Sequence, residues 1–350
     1  MGLSLWSIRI VSAMPRDAPS FWYQSSLSGL ARVLLPLSWL YGAGVWLHRS
    51  ATRPMQLPVP VISIGNITLG GTGKTPVVMG LARALQQRGY AVAVLLRGYG
   101  TKRREPMRVT PAASYAEVGD EALEYAHQLE QVQIWVGSNR RLGARLAIDQ
   151  GATLLLLDDG LQHWPLARDL DVTLLDAQHG LGNGQVFPAG PLREPASQLG
   201  RADLLVLTGT GTGAGGAGPL PWPSQLPWPS QKPCCSLRFQ LDVPHGLLGR
   251  PLVAFCGIGL PQKFFQALSS LGLRVIAQKS FPDHHPYAEA ELEHLLAVAQ
   301  SQGAVLVTTS KDANRLPLQY RSKVVAIPLS IDPGALDPLV QQLLGLIGHA

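Results

Sequence analysis

The sequence predicts an α/β protein: a mostly parallel sheet domain, preceded by an apolar helical segment and followed by a second, smaller α/β lobe. Two observations carry this. Short apolar runs separated by helix-like stretches recur from residue 59 onward, the pattern of buried parallel strands with crossover helices. A glycine-rich Gly70-Gly71-Thr72-Gly73-Lys74-Thr75 lies between the first such run and the first such helix. At 350 residues the chain can build two lobes, and 46% hydrophobic with 15% charged residues marks a globular protein rather than a disordered one.

The first segment is residues 1–55. Within it, Leu27 to Leu47 is about as long as the ~20 residues needed to cross a bilayer, but Arg32 and Pro36 interrupt it. One arginine costs roughly 2.5–3.5 kcal/mol and cancels most of what the leucines and valines contribute at roughly 0.3–0.6 each. The expectation is a helix lying in the membrane interface, with Trp22, Trp39 and Trp46 at headgroup depth and Arg32, Arg49 and Arg53 near lipid phosphates. Charge agrees: residues 1–104 hold twelve Lys or Arg against the single acid Asp17, a balance of +11 that leaves −5 for the rest of a chain whose total is +6. A basic end implies an anionic surface, and the apolar segment beside it favours lipid over nucleic acid.

The core follows at 56–208. VPVISIG from Val59 reads as a buried strand, Thr75 to Arg88 as a helix closed by Gly89, and 91–96 as the next strand, together one βαβ unit. Further strands fall at 153–157, 172–175 and 203–208. Residues 209–233 interrupt the pattern with a Gly-rich run and a tandem PWPSQ at 221–225 and 227–231, read as a tolerated insertion. In the lobe assigned to 234–350, apolar runs alternate with helical stretches at 261–271, 287–302 and 335–347. Three cysteines without a C-x-x-C pair exclude a disulfide framework and a structural zinc site, which fits a reducing cytoplasm.

The glycine-rich segment carries the chemistry. Between a strand and a helix, its glycines let backbone N–H groups turn in around phosphate oxygens at the helix N-terminus. Thr68, Leu69, Gly70, Gly71, Thr72, Gly73, Lys74 and Thr75 would then cradle the phosphates of ATP, Lys74 reaching the β/γ-phosphates and the Thr75 hydroxyl ligating Mg²⁺. Thr68 stands where the strict pattern has its first glycine, and Pro76 is tolerated because early helical positions have no intrahelical N–H partner. Asp158-Asp159 end an apolar strand, where parallel strands deliver side chains to the edge that carries the phosphate loop, and an acid there can hold Mg²⁺.

Taken in order, Gly65-Asn66-Ile67-Thr68, Arg97-Gly98-Tyr99-Gly100, Gly119-Asp120-Glu121, Asp158-Asp159-Gly160-Leu161-Gln162-His163, Pro188 to Pro195 (PAGPLREP), Asp283-His284-His285 and Lys311-Asp312 resemble the tetraacyldisaccharide 4′-kinases of lipid A biosynthesis. The resemblance spans roughly 25–347 apart from the insertion, and it accounts for Thr68. It implies transfer of the ATP γ-phosphate to the 4′-hydroxyl of a tetraacylated glucosamine disaccharide 1-phosphate, giving a product like lipid IVA, at the cytoplasmic face of the bacterial inner membrane. It implies no nucleic acid and no obligate protein partner. By resemblance Asp120 is the catalytic base that accepts the hydroxyl proton, and His284 is its paired histidine. Asp158, Asp159 and Glu194 look like Mg²⁺-site acids, with Arg193 and His163 as active-site neighbours. Three positions depart from the family pattern: Ala122 for proline, Leu260 for asparagine and Ser310 for glutamate. On the residues alone, a soluble P-loop kinase or NTPase with another acceptor, or a nucleotide-gated membrane scaffold, explains part of this set.

Overall fold

The computed structural model describes residues 18–24, 26–98, 105–210, 226–283 and 285–348. Helix α1 (Gly29–Ala51) is opened by Ser28, whose hydroxyl accepts the Ala31 N–H, and it runs through Pro36. It is apolar around most of its surface, yet only Ala31 and Ser38 are buried. Val33, Leu37, Trp39, Leu40, Trp46 and Leu47 are each more than half exposed. Its inner side is fastened where the Ser38 hydroxyl accepts the Ala189 N–H at 3.0 Å. One expectation for this region changes. Trp22 sits on a 3₁₀ turn (Ser20–Tyr23) and is buried, its indole N–H donating to the Pro188 carbonyl at 3.1 Å, so it is a core anchor and not a headgroup residue. Arg49 is exposed, donating to Gln198 at 2.6 Å and lying over the Trp164 ring.

Among the described residues the main sheet has nine strands. In chain order its first half contains β1 (Val61–Asn66), α2 (Lys74–Gln87), β2 (Val92–Leu96), β3 (Met107–Arg108), α3 (Tyr115–Val118), α4 (Asp120–Gln128), β4 (Gln133–Val136), α5 (Arg140–Asp149), β5 (Leu154–Asp158), β6 (Leu170–Asp176) and β7 (Leu204–Thr210). Then β8 (Cys234–Leu241) pairs with β7. A second, four-stranded sheet follows, from β9 (Leu252–Cys256), α6 (Pro261–Ser270), β10 (Val275–Ser280), α7 (Glu289–Ser301), β11 (Val305–Thr309), α8 (Ser310–Ala313), α9 (Leu318–Arg321) and β12 (Val325–Ile327). The chain closes with β13 (Leu329–Ile331) and α10 (Pro333–Ile347).

Strand order is β13-β8-β7-β6-β1-β5-β2-β4-β3 in the large sheet and β10-β9-β11-β12 in the small one. All pairs are parallel except the two edges, β13 on β8 and β3 on β4. The alternation of side chains along a strand sorts the core into two faces. Ile62 and Ile64 of β1 point to the cluster shared with Val77, Val78, Leu81 and Leu85 of α2 and with Leu339 and Leu343 of α10, whereas Val61 points to Ala144 and Ala147 of α5. β1 is therefore buried on both sides, and its C-terminal end is held rigid where the phosphate loop begins.

The lobe boundary read at 234 does not follow the sheets. β8, β13 and α10 belong to the large sheet and its core, so the small lobe is an excursion that leaves after β8 and returns at β13. Apolar runs in the two lobes look alike, and pairing between Leu329 and Leu241 across the excursion leaves no local trace. The first PWPSQ copy lies outside the described residues. The end of the insertion is docked: Leu226 and Trp228 pack beside Leu175, Leu205 and Leu207, and Lys232 donates to the Gly200 and Ala202 carbonyls.

Candidate active site

The phosphate loop is shaped by its own residues. Asn66, buried at the end of β1, donates through Nδ2 to the Thr68 carbonyl at 2.8 Å and accepts the Lys74 ammonium on Oδ1 at 3.1 Å. The outgoing strand-like pairing of Thr68 with Leu192, and of the Leu69 N–H with the Pro191 carbonyl, lays the PAGPLREP segment along the first half of the loop. Gly73 turns at φ 75°, a left-handed conformation, and caps α2. A Cβ there would lie 2.1 Å from the Phe239 ring of β8, so glycine is required for both reasons. At Gly70 and Gly71 an added Cβ meets nothing within 4 Å, so the loop faces open space. The buried Thr72 hydroxyl has no hydrogen-bond partner among the described residues.

Asp158 closes β5, in register with Ile64 of the adjacent β1, and it and Asp159 behave oppositely. Asp158 is buried, with Oδ2 accepting the Tyr125 hydroxyl at 2.9 Å and Oδ1 unpartnered among the described residues. Burial first, then the charge of Glu121, pushes its carboxyl up to about 6. Asp159 adopts φ 50° and receives both the Arg193 guanidinium at 2.8 and 2.9 Å and, at 3.6 Å, the Lys74 ammonium. Burial would raise the Asp159 carboxyl, but Arg193 and Lys74 hold it well below the usual carboxylate range.

Glu194 does not join this pair. Its carboxylate is buried, with both oxygens bonded to Arg201 at 2.7 and 3.0 Å and one also to Gln162 at 2.9 Å. The metal duty expected for it gives way to a buried ion pair, in which Arg201 already neutralises its charge and Arg201 and Gln162 occupy three of its acceptor positions. Gln162 links the two clusters, accepting from Arg193 at 3.1 Å and donating to Glu194. Arg201 in turn stacks on Trp164, as do Arg49 and Arg168.

Asp120 opens α4, the helix that also supplies Tyr125, so its carboxylate and the Asp158 site are fixed by one rigid element. It is buried, and it receives Arg315 of the small lobe through Nε at 2.8 Å and Nη2 at 2.5 Å, while Oδ1 accepts the Glu121 N–H. Arg315 also donates to Asp312, which accepts the Tyr287 hydroxyl and the Gly257 N–H as well. Burial would lower the Arg315 guanidinium, but Asp120 and Asp312 raise it. Lys311 reaches Glu121 at 3.3 Å, and Lys263 of α6 reaches Asp176 at 2.6 Å, so cations of the small lobe meet acids of the large one at several points. Lys311 and Asp312 were carried by the sequence resemblance, but Arg315 and Glu124 were not singled out. Glu124 stands one turn from Asp120 on α4, and burial followed by Glu121 and Asp120 pushes it up to about 7 against the opposing Lys311. The i, i+4 spacing of the two acids was its only signal. His284 lies outside the described residues.

These residues suit a nucleotide. The loop opens outward with a lysine at its root, and Thr75 stands in the first turn of α2. Among the described residues no group of three or more His, Cys, Asp or Glu forms a closed cation cage. Thr75 in that first turn and Asp158, whose Oδ1 has no partner among the described residues, are the residues that would hold Mg²⁺, an ion that keeps phosphate and water ligands around one or two carboxylates.

Known proteins resemble this chain over nearly its whole length. The family described as tetraacyldisaccharide-1-P 4′-kinase matches residues 30–347. The chain is 42% identical over 339 residues to the tetraacyldisaccharide 4′-kinase of Rhodospirillum centenum, covering 93% of this chain and 96% of that one. It is 39% identical to the same kinase of Paramagnetospirillum magneticum, over 93% and 98%. The crystal structure of LpxK from Aquifex aeolicus in complex with ATP superposes with a TM-score of 0.73 at 30% identity, over 91% of this chain and 99% of that one.

Proposed function

The chain belongs to the tetraacyldisaccharide-1-P 4′-kinase family, and we propose that its residues transfer the γ-phosphate of ATP to the 4′-hydroxyl of a tetraacylated glucosamine disaccharide 1-phosphate. The observation that carries the reading is the shared edge of β1 and β5: Lys74, fixed by Asn66 and Asp159, lies at the root of an open glycine loop, and the neighbouring β5 ends in the buried Asp158, whose Oδ1 has no partner among the described residues. In that reading residues 68–75 bind the triphosphate, with Lys74 on its β and γ groups. Thr75 and Asp158 would hold Mg²⁺, which supplies neutralisation of the phosphate charge when bound. Asp159 keeps Lys74 and Arg193 oriented toward the phosphates. Asp120 takes the proton of the 4′-hydroxyl as its oxygen bonds to the γ-phosphorus, and the bond from that phosphorus to the β-bridging oxygen breaks to release ADP. His284 completes the base as its pair.

The acceptor is a lipid, and the exposed apolar side of α1 supports a catalytic domain seated at a membrane surface. With ATP as donor, this reading puts that surface on the cytoplasmic face of the bacterial inner membrane. The test is phosphorylation in mixed micelles: the protein, ATP and Mg²⁺ with the disaccharide 1-phosphate should yield a product heavier by one phosphate at the 4′-position. Hydrolysis of ATP without a phosphorylated lipid would remove the reading.

A further inference from the structure

Tyr125 is the largest side chain that α4 buries, and it is wholly excluded from solvent. Its ring lies in the apolar cluster that also takes Val77, Val78 and Leu81 of α2. A phenylalanine would fill nearly the same volume, so the hydroxyl needs its own account. A phenol buried in such surroundings is costly unless its O–H finds an acceptor. Among the described residues that acceptor is Oδ2 of Asp158, at 2.9 Å.

The same contact is the one hydrogen bond on the Asp158 side chain among the described residues, Oδ1 having no partner there. The neighbouring acids are held differently. Asp159 has the Arg193 guanidinium on both oxygens, and Glu194 has Arg201 on both. A guanidinium fixes a carboxylate and neutralises it at once. A neutral phenol fixes the carboxylate and leaves its charge in place. With Oδ2 pinned from α4, the carboxylate plane is set and Oδ1 keeps one direction. A metal-ligating acid needs that combination, orientation without neutralisation. The element that carries the phenol matters too. Helix α4 begins at Asp120, about one and a half turns before Tyr125, and both side chains are buried. One helix therefore presents the acceptor base and orients the acid at the nucleotide end.

Resting on the kinase reading above, we propose that Tyr125 is a positioning residue: its hydroxyl fixes Asp158 so that Oδ1 stays charged and open for the Mg²⁺ that accompanies ATP. The role belongs to the hydroxyl and not to the ring, and it acts through Asp158 alone.

The experiment measures ATP affinity by titration calorimetry, in excess Mg²⁺ and again in EDTA. It uses the wild-type protein, Tyr125→Phe, Leu123→Val, and Asp158→Asn with and without Tyr125→Phe. In Mg²⁺ the ATP affinity of Tyr125→Phe should fall by about tenfold, the lower end of what losing a ligand's outer partner costs a metal site. In EDTA it should stay within about twofold of wild type, because only the coupling between ion and nucleotide has changed. Leu123→Val, a core change on the same helix, should match wild type in both conditions. In the Asp158→Asn background the phenol has no carboxylate to hold, so Tyr125→Phe should add less than about twofold. Equal losses in Mg²⁺ and EDTA, or a loss in Leu123→Val as large as that in Tyr125→Phe, would make Tyr125 a packing residue and overturn the assignment. Wild-type affinity of Tyr125→Phe in Mg²⁺, or its full loss repeated on top of Asp158→Asn, overturns it too. A wild-type protein that binds ATP no more tightly in Mg²⁺ than in EDTA is a separate result, which removes the metal reading of Asp158 and this role with it.

Discussion

Arg315 and Asp120 form a two-point ion pair between the lobes, with Nε at 2.8 Å and Nη2 at 2.5 Å from the same carboxylate oxygen. The guanidinium side chain is wholly buried and also bonds Asp312. The residue assigned as acceptor base is therefore held by the small lobe as well as by α4, and its orientation depends on how the lobes meet.

Removing one partner of such a pair leaves a buried charge without compensation, which costs about 3–5 kcal/mol. Arg315→Met should lower unfolding free energy by that order, read from denaturant midpoints at constant slope. Asp120→Asn, which keeps the side-chain volume and one acceptor oxygen, should cost less. A loss below about 1 kcal/mol in Arg315→Met would mean the contact is solvated and does not organise the lobes.

Glu124 predicts a pH effect of definite sign. Its folded pKa, about 7, lies above the ordinary glutamate value, so the folded protein holds a proton that the unfolded chain releases. Stability is then greatest below the unfolded value and falls as pH rises through 7. Glu124→Gln should abolish that fall, making the variant more stable than wild type at pH 8 by about 1–3 kcal/mol and equal to it near pH 5. Parallel stability curves for the two proteins between pH 5 and 8 would contradict the burial argument.

Asp158 and Glu194 separate by metal dependence. Asp158→Asn should raise the Mg²⁺ concentration needed for half-maximal turnover by tenfold or more, since the ion loses its charged protein ligand. Glu194→Gln should leave that concentration unchanged and instead lower stability by about 3–5 kcal/mol, because Arg201 loses its buried partner. A shifted Mg²⁺ requirement in Glu194→Gln would restore the metal role that its ion pair argues against.

The phosphate loop and the Asp158 end of its neighbouring strand were legible in the sequence because each is local: glycines, a lysine and a helix start lie within eight residues, and an acid ends an apolar run. Strands β1, β2, β5, β6 and β7 were legible for the same reason, as unbroken apolar runs. What escaped reading is long-range. Arg315 lies 195 residues from Asp120, and no spacing rule pairs them. Trp22 has the profile of an interfacial aromatic, and only its bond to Pro188, 166 residues on, makes it a core residue. The four-residue β4 is too short to show a period between its flanking helices.

The exposed side of α1 gives a membrane prediction that spares the fold. Trp39, Leu40, Trp46 and Leu47 touch little of the protein, so replacing all four with serine should leave thermal stability near wild type. Binding to vesicles should fall by about tenfold or more, as burial of large apolar side chains in the interface is lost. Undiminished vesicle flotation by the quadruple variant would show that another surface meets the lipid.

Phosphoryl transfer with Asp120 as base is tested most directly by Asp120→Asn, measured for turnover at saturating acceptor and, separately, for ATP affinity. An amide cannot take a full proton, so turnover should fall by ~10²–10⁴ while ATP affinity stays within about twofold of wild type. Lys74→Ala provides the contrast, since it should lose ATP affinity as well as turnover. Wild-type turnover in a folded Asp120→Asn protein, or equal losses in turnover and ATP affinity, would contradict the assignment and make the Asp120–Arg315 pair purely structural.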